Sequence, residues 1–194
     1  FSESASVTVS QQLRRLIGWF DREAQPGIAV AFSGGVDSSV VLAAAQRSHA
    51  EPVFAVTARS PSVAAWQLAW AAKIAKQIGA KHIVVDTDEV DLPEYSVNDS
   101  RRCYYCKSTL YHHLFRWMQT QQHEGLLVVS GTNADDLGDY RPGIQAGREA
   151  DVRTPLAELG FGKTVVRKLA DELGLSNAEL PASPCLASRI AYGV

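Results

Sequence analysis

The sequence predicts an α/β domain in which a five-stranded parallel sheet carries helices on both faces. Short apolar runs alternate with segments of helix length, and most of these runs lead into a turn rich in Gly, Ser, Thr or Asp. Strands that are apolar along their whole length are typical of parallel sheets covered on both sides. With 194 residues, 46% of them hydrophobic, the chain has the size of one domain with a substantial core. The runs taken as strands are 27–32, 52–57, 81–86, 126–130 and 151–153.

Helices are expected before the first strand and between the later ones. The first has apolar residues at helical spacing from Leu13 to Phe20 and ends before Pro26. The other predicted helices are 38–47, 61–78, 104–121 and 164–173. Right-handed crossovers bring the loops that follow parallel strands to one edge of the sheet. We expect these loops to be 33–38, 57–60, 86–107 and 131–136, with Glu89 in a solvated acidic stretch of the third.

Composition and charge narrow the class of protein. Nineteen basic residues against 21 acidic ones give a net charge of −2, so no overall basic field predicts a nucleic-acid partner. No apolar run reaches the length of a membrane span, and the first residues do not have the pattern of a signal peptide. We therefore expect a cytoplasmic protein without a membrane partner. Three cysteines, an odd number, favour thiol chemistry or a metal over a disulfide framework.

The loop after the first strand has the features of a phosphate-binding loop. A buried strand leads into two glycines, and Ser38 is expected to begin the next helix. Backbone N–H groups and the positive helix end then point at an anion above the turn. The glycines let the backbone approach that anion. The residues assigned to this phosphate-binding loop are Ser33, Gly34, Gly35, Val36, Asp37 and Ser38, and the loop lacks the Lys-Ser/Thr ending of a Walker A motif.

A second ligand-binding loop follows the fourth strand and reads Gly-Thr-Asn-Ala-Asp-Asp, residues 131–136. The backbone from Gly131 onward can line a nucleotide, while Asp135 or Asp136 reaches a Mg²⁺ ion between phosphates. The same residues also suit a helix N-cap with acidic residues in the first turn, and the two interpretations are compatible. Thr57, at the end of the second strand, is assigned to the same nucleotide-binding edge.

The cysteines form a candidate metal site. Cys103 and Cys106 lie one helical turn apart, and Cys185 lies in a segment that prolines at 181 and 184 keep out of a helix. Three thiolates are one short of a closed four-cysteine site, so a structural zinc needs a fourth His or Asp ligand. A 4Fe-4S cluster held by three cysteines keeps one iron open. Three reduced cysteines without a joint role are the remaining alternative.

Basic residues gather around these loops in the sequence. Arginine suits bidentate phosphate recognition, so we expect a phosphorylated substrate at this edge, although each residue singly is also a normal surface residue. The basic residues in question are Arg101, Arg102, Lys107, Arg141, Arg148 and Arg189.

The motifs resemble those of known proteins at two levels. Ser33 to Ser39, SGGVDSS, resembles the PP-loop of the ATP pyrophosphatases, which implies a Rossmann-like, adenine nucleotide α hydrolase-like fold and cleavage of ATP between its α- and β-phosphates. Together, the motifs resemble the LarE family across nearly the whole chain. The motifs that carry this second resemblance are SGGVDSS, RCYYCK at 102–107, GTNADD followed by DYRPG at 139–143, and PASPCLASR at 181–189.

The LarE resemblance implies an ATP-dependent sulfur transferase of nickel-pincer nucleotide biosynthesis, the cofactor of lactate racemase. A carboxylate of a pyridinium dicarboxylate mononucleotide is adenylated and becomes a thiocarboxylate. The three cysteines are similar to the branch in which they hold a 4Fe-4S cluster whose open iron carries the transferred sulfide. In members that have only the last cysteine, that residue loses its own sulfur. The roles implied are catalysis for Cys185, Asp37 and Lys107, metal binding for Cys103, Cys106 and Cys185, and nucleotide or substrate-phosphate binding for Asp135 and Arg189.

Further expectations and alternatives accompany this interpretation. Residues 1–175 are expected to form the PP-loop domain, and 176–194 a cysteine-bearing loop that leads into a C-terminal region outside this chain. The expected partners are ATP, Mg²⁺, the phosphorylated pyridinium carboxylate, a sulfide donor and a second copy of the chain. The alternatives are a sacrificial Cys185, tRNA thiolation, amidation as in NAD or GMP synthetases, and a non-catalytic nucleotide-sensing or iron–sulfur module.

Overall fold

The computed structural model describes residues 7–24, 26–138, 141–181 and 185–193. Its centre is a parallel sheet in the order β3-β2-β1-β4. In register, Ala29 of β1 lies opposite Phe54 on one side and Val128 on the other. The strands are β1 (Ile28–Ala31), β2 (Val53–Arg59), β3 (Lys81–Asp86) and β4 (Leu127–Ser130).

The sheet has four strands in the described residues, and the predicted fifth strand at 151–153 is wrong. Arg153 makes a single parallel bridge with Val129, through Ser130 N to Arg153 O at 2.9 Å and Arg153 N to Val128 O at 3.0 Å. The ladder does not extend backward because Asp151 has a positive φ of 55°, which is not a strand conformation. It does not extend forward because Pro155 begins a helix two residues later.

Helices cover both faces, as predicted. The helix at 65–78 starts later than expected because the preceding loop is held by side-chain hydrogen bonds between Ser60, Ser62 and Glu89. No helix in the described ranges combines the length and apolar content needed to cross a membrane. The helices are α1 (Val9–Glu23), α2 (Val36–Gln46), α3 (Ala65–Ile78), α4 (Pro93–Ser96), α5 (Arg102–Thr120), α6 (Pro142–Glu149), α7 (Pro155–Glu158) and α8 (Lys163–Glu172), with short 3₁₀ helices at Glu89–Asp91, Ala134–Gly138 and Ala187–Arg189.

The sheet separates two apolar cores. Ile28 and Val30 of β1 point into the core shared with α1, α2, α3 and α8, whereas Ala29 points into the core shared with α5 and α6. All four β1 residues are buried, which is why the strand sequence is apolar without alternation. This arrangement leaves the carboxyl ends of the strands, and the loops that follow them, as the edge where ligands bind in open α/β sheets.

Candidate active site

The loop after β1 is held in a conformation that requires glycine at position 34. Gly34 has a φ of +75°, and a Cβ added there would lie 2.9 Å from the Cα of Ala71 in α3. The carbonyl of Gly34 accepts a hydrogen bond from the Asn177 side chain at 2.9 Å, and the same amide nitrogen also reaches Ser39 Oγ. The loop is therefore fixed from both α3 and the segment after α8.

Serine side chains fix the rest of this loop. The hydroxyls of Ser38 and Ser39 donate to the carbonyl of Gly35 at 3.0 and 2.9 Å. Ser33 Oγ accepts from Gly35 N at 3.3 Å and lies 3.2 Å from Ser38 Oγ. Val36 begins α2, and Gly35 at the N-cap supplies no side-chain acceptor for the first-turn N–H groups. Those donors and the exposed Ser33 and Gly35 form an anion-binding surface.

Asp37 lies in the first turn of α2 and is half-buried. Burial raises the pKa of its carboxyl, and the nearby Asp136 raises it further. The Asn133 side chain, which donates to Asp37 Oδ1 at 3.4 Å, and the cations of Lys163 and Arg167 oppose that shift. A carboxyl whose ionisation is disfavoured by burial and by a second carboxylate nearby is a suitable environment for a divalent cation, so Asp37 and Asp136 fit a Mg²⁺ ion.

The loop after β4 packs directly on the first loop. A Cβ added at Gly131 would lie 2.6 Å from the backbone nitrogen of Ser38, so only glycine permits this approach. The structure therefore brings the two sequence-predicted loops together at the level of their backbones.

The two aspartates of the second loop have different surroundings. Asp135, which we assigned to nucleotide or Mg²⁺ binding, accepts a hydrogen bond from Lys163 N at 2.7 Å and caps α8. Its carboxylate also occupies the space that a Cβ at Gly162 would need. Asp136 is buried, pairs with Arg141 at 3.0 Å and is the carboxylate that acts on Asp37. The helix-cap interpretation thus describes Asp135, and Asp136 is the better placed metal ligand.

Thr57 lies beside the first loop, but its hydroxyl is engaged within the protein. The buried Thr57 Oγ1 donates to the carbonyl of Phe32 at 2.8 Å and lies 2.8 Å from Nε2 of His82. Burial lowers the pKa of His82. Thr57 thus braces the end of β1 from which the phosphate-binding loop emerges.

The cysteines lie at the same edge of the sheet. Cys103 is exposed at the start of α5, Cys106 is largely screened from solvent, and burial raises the pKa of the Cys106 thiol to about 11. Cys103 and Cys185 are close enough to influence that pKa electrostatically, as is the ammonium of Lys107, which opposes the shift. Cys185 Sγ lies 3.2 Å from Ser188 Oγ. Within the described residues, no three His, Cys, Asp or Glu side chains are arranged to hold a metal ion.

The segment that carries Cys185 docks on the loops before α5. Leu186 N donates to Ser62 O at 3.0 Å. The buried Arg102 hydrogen-bonds Asn98, reaches Ser188 Oγ at 3.4 Å and lies over the ring of Tyr192 at 5.3 Å. The motif positions 139, 140 and 182–184 lie outside the described residues.

Glu89 is a residue that the sequence analysis missed. The expectation of a solvated acidic residue is wrong, since Glu89 is 2% exposed. Its Oε1 accepts from Ser60 at 2.5 Å and from Ser62 at 2.7 Å, while Oε2 has no partner in the described residues. The pKa of the neighbouring Tyr95 is raised chiefly by burial, with smaller contributions from Cys106, Glu89 and Cys185. The two serines after β2 were the available signal, because a buried carboxylate needs such donors.

The remaining predicted residues lie nearby. Lys107 packs against α6, where a Cβ on Gly143 would lie 3.0 Å from its Cγ. Arg189 is exposed in the last 3₁₀ helix and makes no ion pair within the described part of the chain. Both cations are thus available to an anionic ligand at this edge.

Comparison with known proteins agrees with the two resemblances. The asparagine synthase family profile matches residues 23–132. An uncharacterized protein of Synechocystis sp. is 42% identical over 94% of this chain and 66% of its own length. The pyridinium-3,5-bisthiocarboxylic acid mononucleotide synthase of Lactiplantibacillus plantarum is 35% identical over 86% of this chain and 60% of its own. This chain thus spans less than two thirds of the length of these relatives.

Solved structures show the same fold. NMN synthetase from Francisella tularensis superposes with a TM-score of 0.73 at 18% identity, covering 93% of this chain and 76% of its own. The NH₃-dependent NAD synthetase from Campylobacter jejuni gives a TM-score of 0.62 at 16% identity, with coverages of 87% and 72%. At these identities the likeness establishes the fold alone. Since the family profile covers more than half of the chain, the protein belongs to the asparagine synthase family of PP-loop proteins, and the predicted resemblance to LarE is confirmed.

Proposed function

We propose that this protein is an ATP-dependent sulfur transferase that adenylates a carboxylate of a pyridinium dicarboxylate mononucleotide and converts it to a thiocarboxylate. The observation that carries the proposal is the neighbourhood of a fixed PP-loop, an Asp37–Asp136 pair and three free cysteines at one sheet edge. The 35% identity to a pyridinium-3,5-bisthiocarboxylic acid mononucleotide synthase supports the choice of substrate. The product then belongs to nickel-pincer nucleotide biosynthesis, as the LarE resemblance implies.

In the first half-reaction the protein activates the carboxylate. A carboxylate oxygen of the substrate attacks the α-phosphorus of ATP, the bond to the bridging oxygen breaks, and pyrophosphate leaves with the electron pair. The first-turn N–H groups of α2 and the Ser33 and Ser38 hydroxyls hold the pyrophosphate. Asp37 and Asp136 would hold Mg²⁺, which neutralises charge on the leaving group. Lys163 and Arg167, which already act on Asp37, add positive charge to the same place.

In the second half-reaction a sulfur nucleophile attacks the acyl carbon and AMP leaves. We assign the sulfur-bearing position to Cys185, assisted by Cys103, Cys106 and Lys107. The electrostatic effect of Cys103 and Cys185 on the pKa of the Cys106 thiol supports a joint role, whereas the arrangement of the three thiols in the described residues does not fit a metal site. We therefore derive no step through a cluster. If Cys185 is consumed, its Sγ forms a thioester with the acyl carbon, and removal of the Cα proton then breaks the Cβ–Sγ bond, so that the thiocarboxylate leaves and dehydroalanine remains at position 185. If an external sulfide donor supplies the sulfur, sulfide attacks the acyl carbon directly and AMP is the leaving group. Free cysteines fit a reducing compartment, so we place the reaction in the cytoplasm.

One pair of measurements tests this proposal. The full-length protein, purified without oxygen, is incubated with ATP, Mg²⁺ and the mononucleotide, and pyrophosphate release and a thiocarboxylate product are measured. We expect both, with Cys185→Ala retaining pyrophosphate release and losing thiolation. Pyrophosphate release that needs ammonia and yields an amide would instead establish a synthetase like the structural neighbours.

The same samples show which source supplies the sulfur atom. Iron and acid-labile sulfide per chain, together with the intact mass after turnover, separate the two sources. A mass loss equal to one H₂S at Cys185 identifies a consumed cysteine. Full thiolation by Cys185→Ala would refute the assignment of that residue under either source.

A further inference from the structure

A small cavity lies next to β4, on the side away from the Cys185 segment. It has a volume of about 180 Å³ and opens at the carboxyl edge of the sheet between α5, α6 and the loop after β4. Its walls include Tyr111, Ser130, Thr132, Ile144, Arg148 and Val152. Nothing in the proposed reaction has used this cavity so far.

The polar groups of the cavity suit an acid. Tyr111 is 3% exposed and lines the cavity, with its hydroxyl next to Gly147 of α6. Ser130 and Thr132 also line the cavity, and their hydroxyls lie 3.2 Å apart. Arg148 is exposed at the rim and has no ion pair within the described ranges. Glu158 also borders the cavity, but its carboxylate forms an ion pair with Arg153 at 2.7 Å. The charge that remains for a ligand in the cavity is therefore the positive charge of Arg148.

The size and the apolar walls suit a single planar ring. A cavity of about 150 Å³ lined by apolar side chains accommodates benzene, whereas drug-sized ligands need roughly 300 Å³ or more. Ile144 and Val152 supply flat apolar surface between the polar groups. A cavity of about 180 Å³ therefore fits a six-membered ring with an acid group and is too small for a whole nucleotide.

The cavity lies between the phosphate-binding loop and the start of α5, which carries Cys103. Thr132 directly follows Gly131, whose backbone touches Ser38 of the phosphate-binding loop. On the other side, Gly143 lines the cavity and also packs against Lys107 and the carbonyl of Cys103. A ring held here would lie between the PP-loop and the first cysteine.

We propose that this cavity binds an aromatic ring acid, with Tyr111 and Arg148 holding one carboxylate of the ring. This inference rests on the proposed function, in which the pyridinium ring carries two carboxylates. The carboxylate held by Tyr111 and Arg148 is the one that does not react, and the other faces the phosphate-binding loop. A ring with a single acid group would bind through that group and leave no carboxylate to react, so Tyr111 and Arg148 favour a ring with two acid groups as the substrate.

Binding of the free ring acid tests the inference without ATP or turnover. Pyridine-3,5-dicarboxylate is titrated into the purified protein, and saturable binding is followed by NMR or calorimetry. Loss of a hydrogen bond to a charged group costs about tenfold or more in affinity, so Arg148→Gln is expected to weaken binding by about that factor. Arg116→Gln, an exposed arginine on the same α5 that carries Tyr111, is the matched control and should bind as the wild type.

A second variant separates binding from folding. A Cβ at Gly147 would lie 3.4 Å from the Tyr111 hydroxyl, an ordinary contact that covers this group without a clash. Alanine also favours the interior of α6 more than glycine does. Gly147→Ala should therefore lose ring-acid binding while its melting temperature is maintained or raised.

The outcomes are decisive and separable from those of the proposed function. No saturable binding to the wild type, or wild-type affinity in both Arg148→Gln and Gly147→Ala, overturns the inference. Competition by inorganic phosphate but not by benzoate overturns it as well and assigns the cavity to a phosphate group. Pyrophosphate release is assayed in parallel, so a protein that binds the ring acid but does not activate it refutes only the proposed function.

Discussion

Replacing Gly34 by alanine tests the claim that the phosphate-binding loop is built against α3. At a φ of +75° the left-handed conformation of an alanine costs roughly 1–2 kcal/mol of folding free energy. The added Cβ would also lie 2.9 Å from the Ala71 Cα, a backbone atom that cannot rotate away. Overpacking of this kind costs about 1–3 kcal/mol. The two contributions add to about 2–5 kcal/mol, a large part of the roughly 5–15 kcal/mol that stabilises a typical domain.

Gly79→Ala is the matched control for this experiment. Gly79 has a φ of +82°, yet no atom lies within 4 Å of its Cβ position. Gly79→Ala therefore has the free-energy cost of the left-handed conformation without a steric clash. Urea unfolding of both variants should show Gly34→Ala to be less stable than Gly79→Ala by about 1–3 kcal/mol, with pyrophosphate release lost only in the former. Equal stabilities would refute the close packing of the loop on α3.

Three further predictions concern the acidic and thiol groups. Because the raised pKa of Asp37 means that the folded state holds its proton more tightly than the unfolded state, ionisation of Asp37 destabilises the fold as pH rises. Asp37→Asn should thus raise the melting temperature more at pH 8 than at pH 4 while abolishing pyrophosphate release; an equal gain at both pH values would contradict this. Glu89→Ala leaves two buried serine hydroxyls without their acceptor and should cost about 1–3 kcal/mol in urea unfolding, whereas the exposed Glu94→Ala should cost under about 0.5 kcal/mol. In metal-free protein at pH 8, mass spectrometry should find Cys106, with a pKa of about 11, alkylated more slowly than Cys103, and equal rates would show that burial does not protect it.

The sequence was sufficient for the features that depend on local pattern. Four of the predicted runs form strands. β1, β2 and β4 are largely buried, and a strand buried on both faces must be apolar throughout, whereas the edge strand β3 is mostly exposed or half-buried. The run at 151–153 has the same appearance, but Pro155 leaves it only one residue of ladder. α6 was missed because Pro142 and Gly143 look like a turn, although proline is equally suited to the first turn of a helix.

The details of the site depended on contacts between distant segments. Asp135 and Asp136 are adjacent and chemically identical, and only the approach of α8 makes the first a helix cap. Glu89 is acidic in a polar stretch, and its burial follows from two serines that lie 27 and 29 residues earlier. Such pairings are set by tertiary packing, so no periodicity in the chain reveals them.

The link made by Arg102 bears on how this site can change. The loops after β1 and β4 pack directly on each other through their backbones, as at Ser38 and Gly131. Residues 185–193, which carry Cys185, are held by a different set of contacts: the Arg102 guanidinium reaches Ser188 and lies over Tyr192, Leu186 N donates to Ser62 O, and Asn98 hydrogen-bonds Ala191 and Gly193. The loop after β1 is held by Asn177 and not by these contacts, so we expect substitutions within 185–193 to leave the geometry of that loop intact. Under the proposed function, one activating scaffold would accept different sulfur donors through changes confined to residues 185–193.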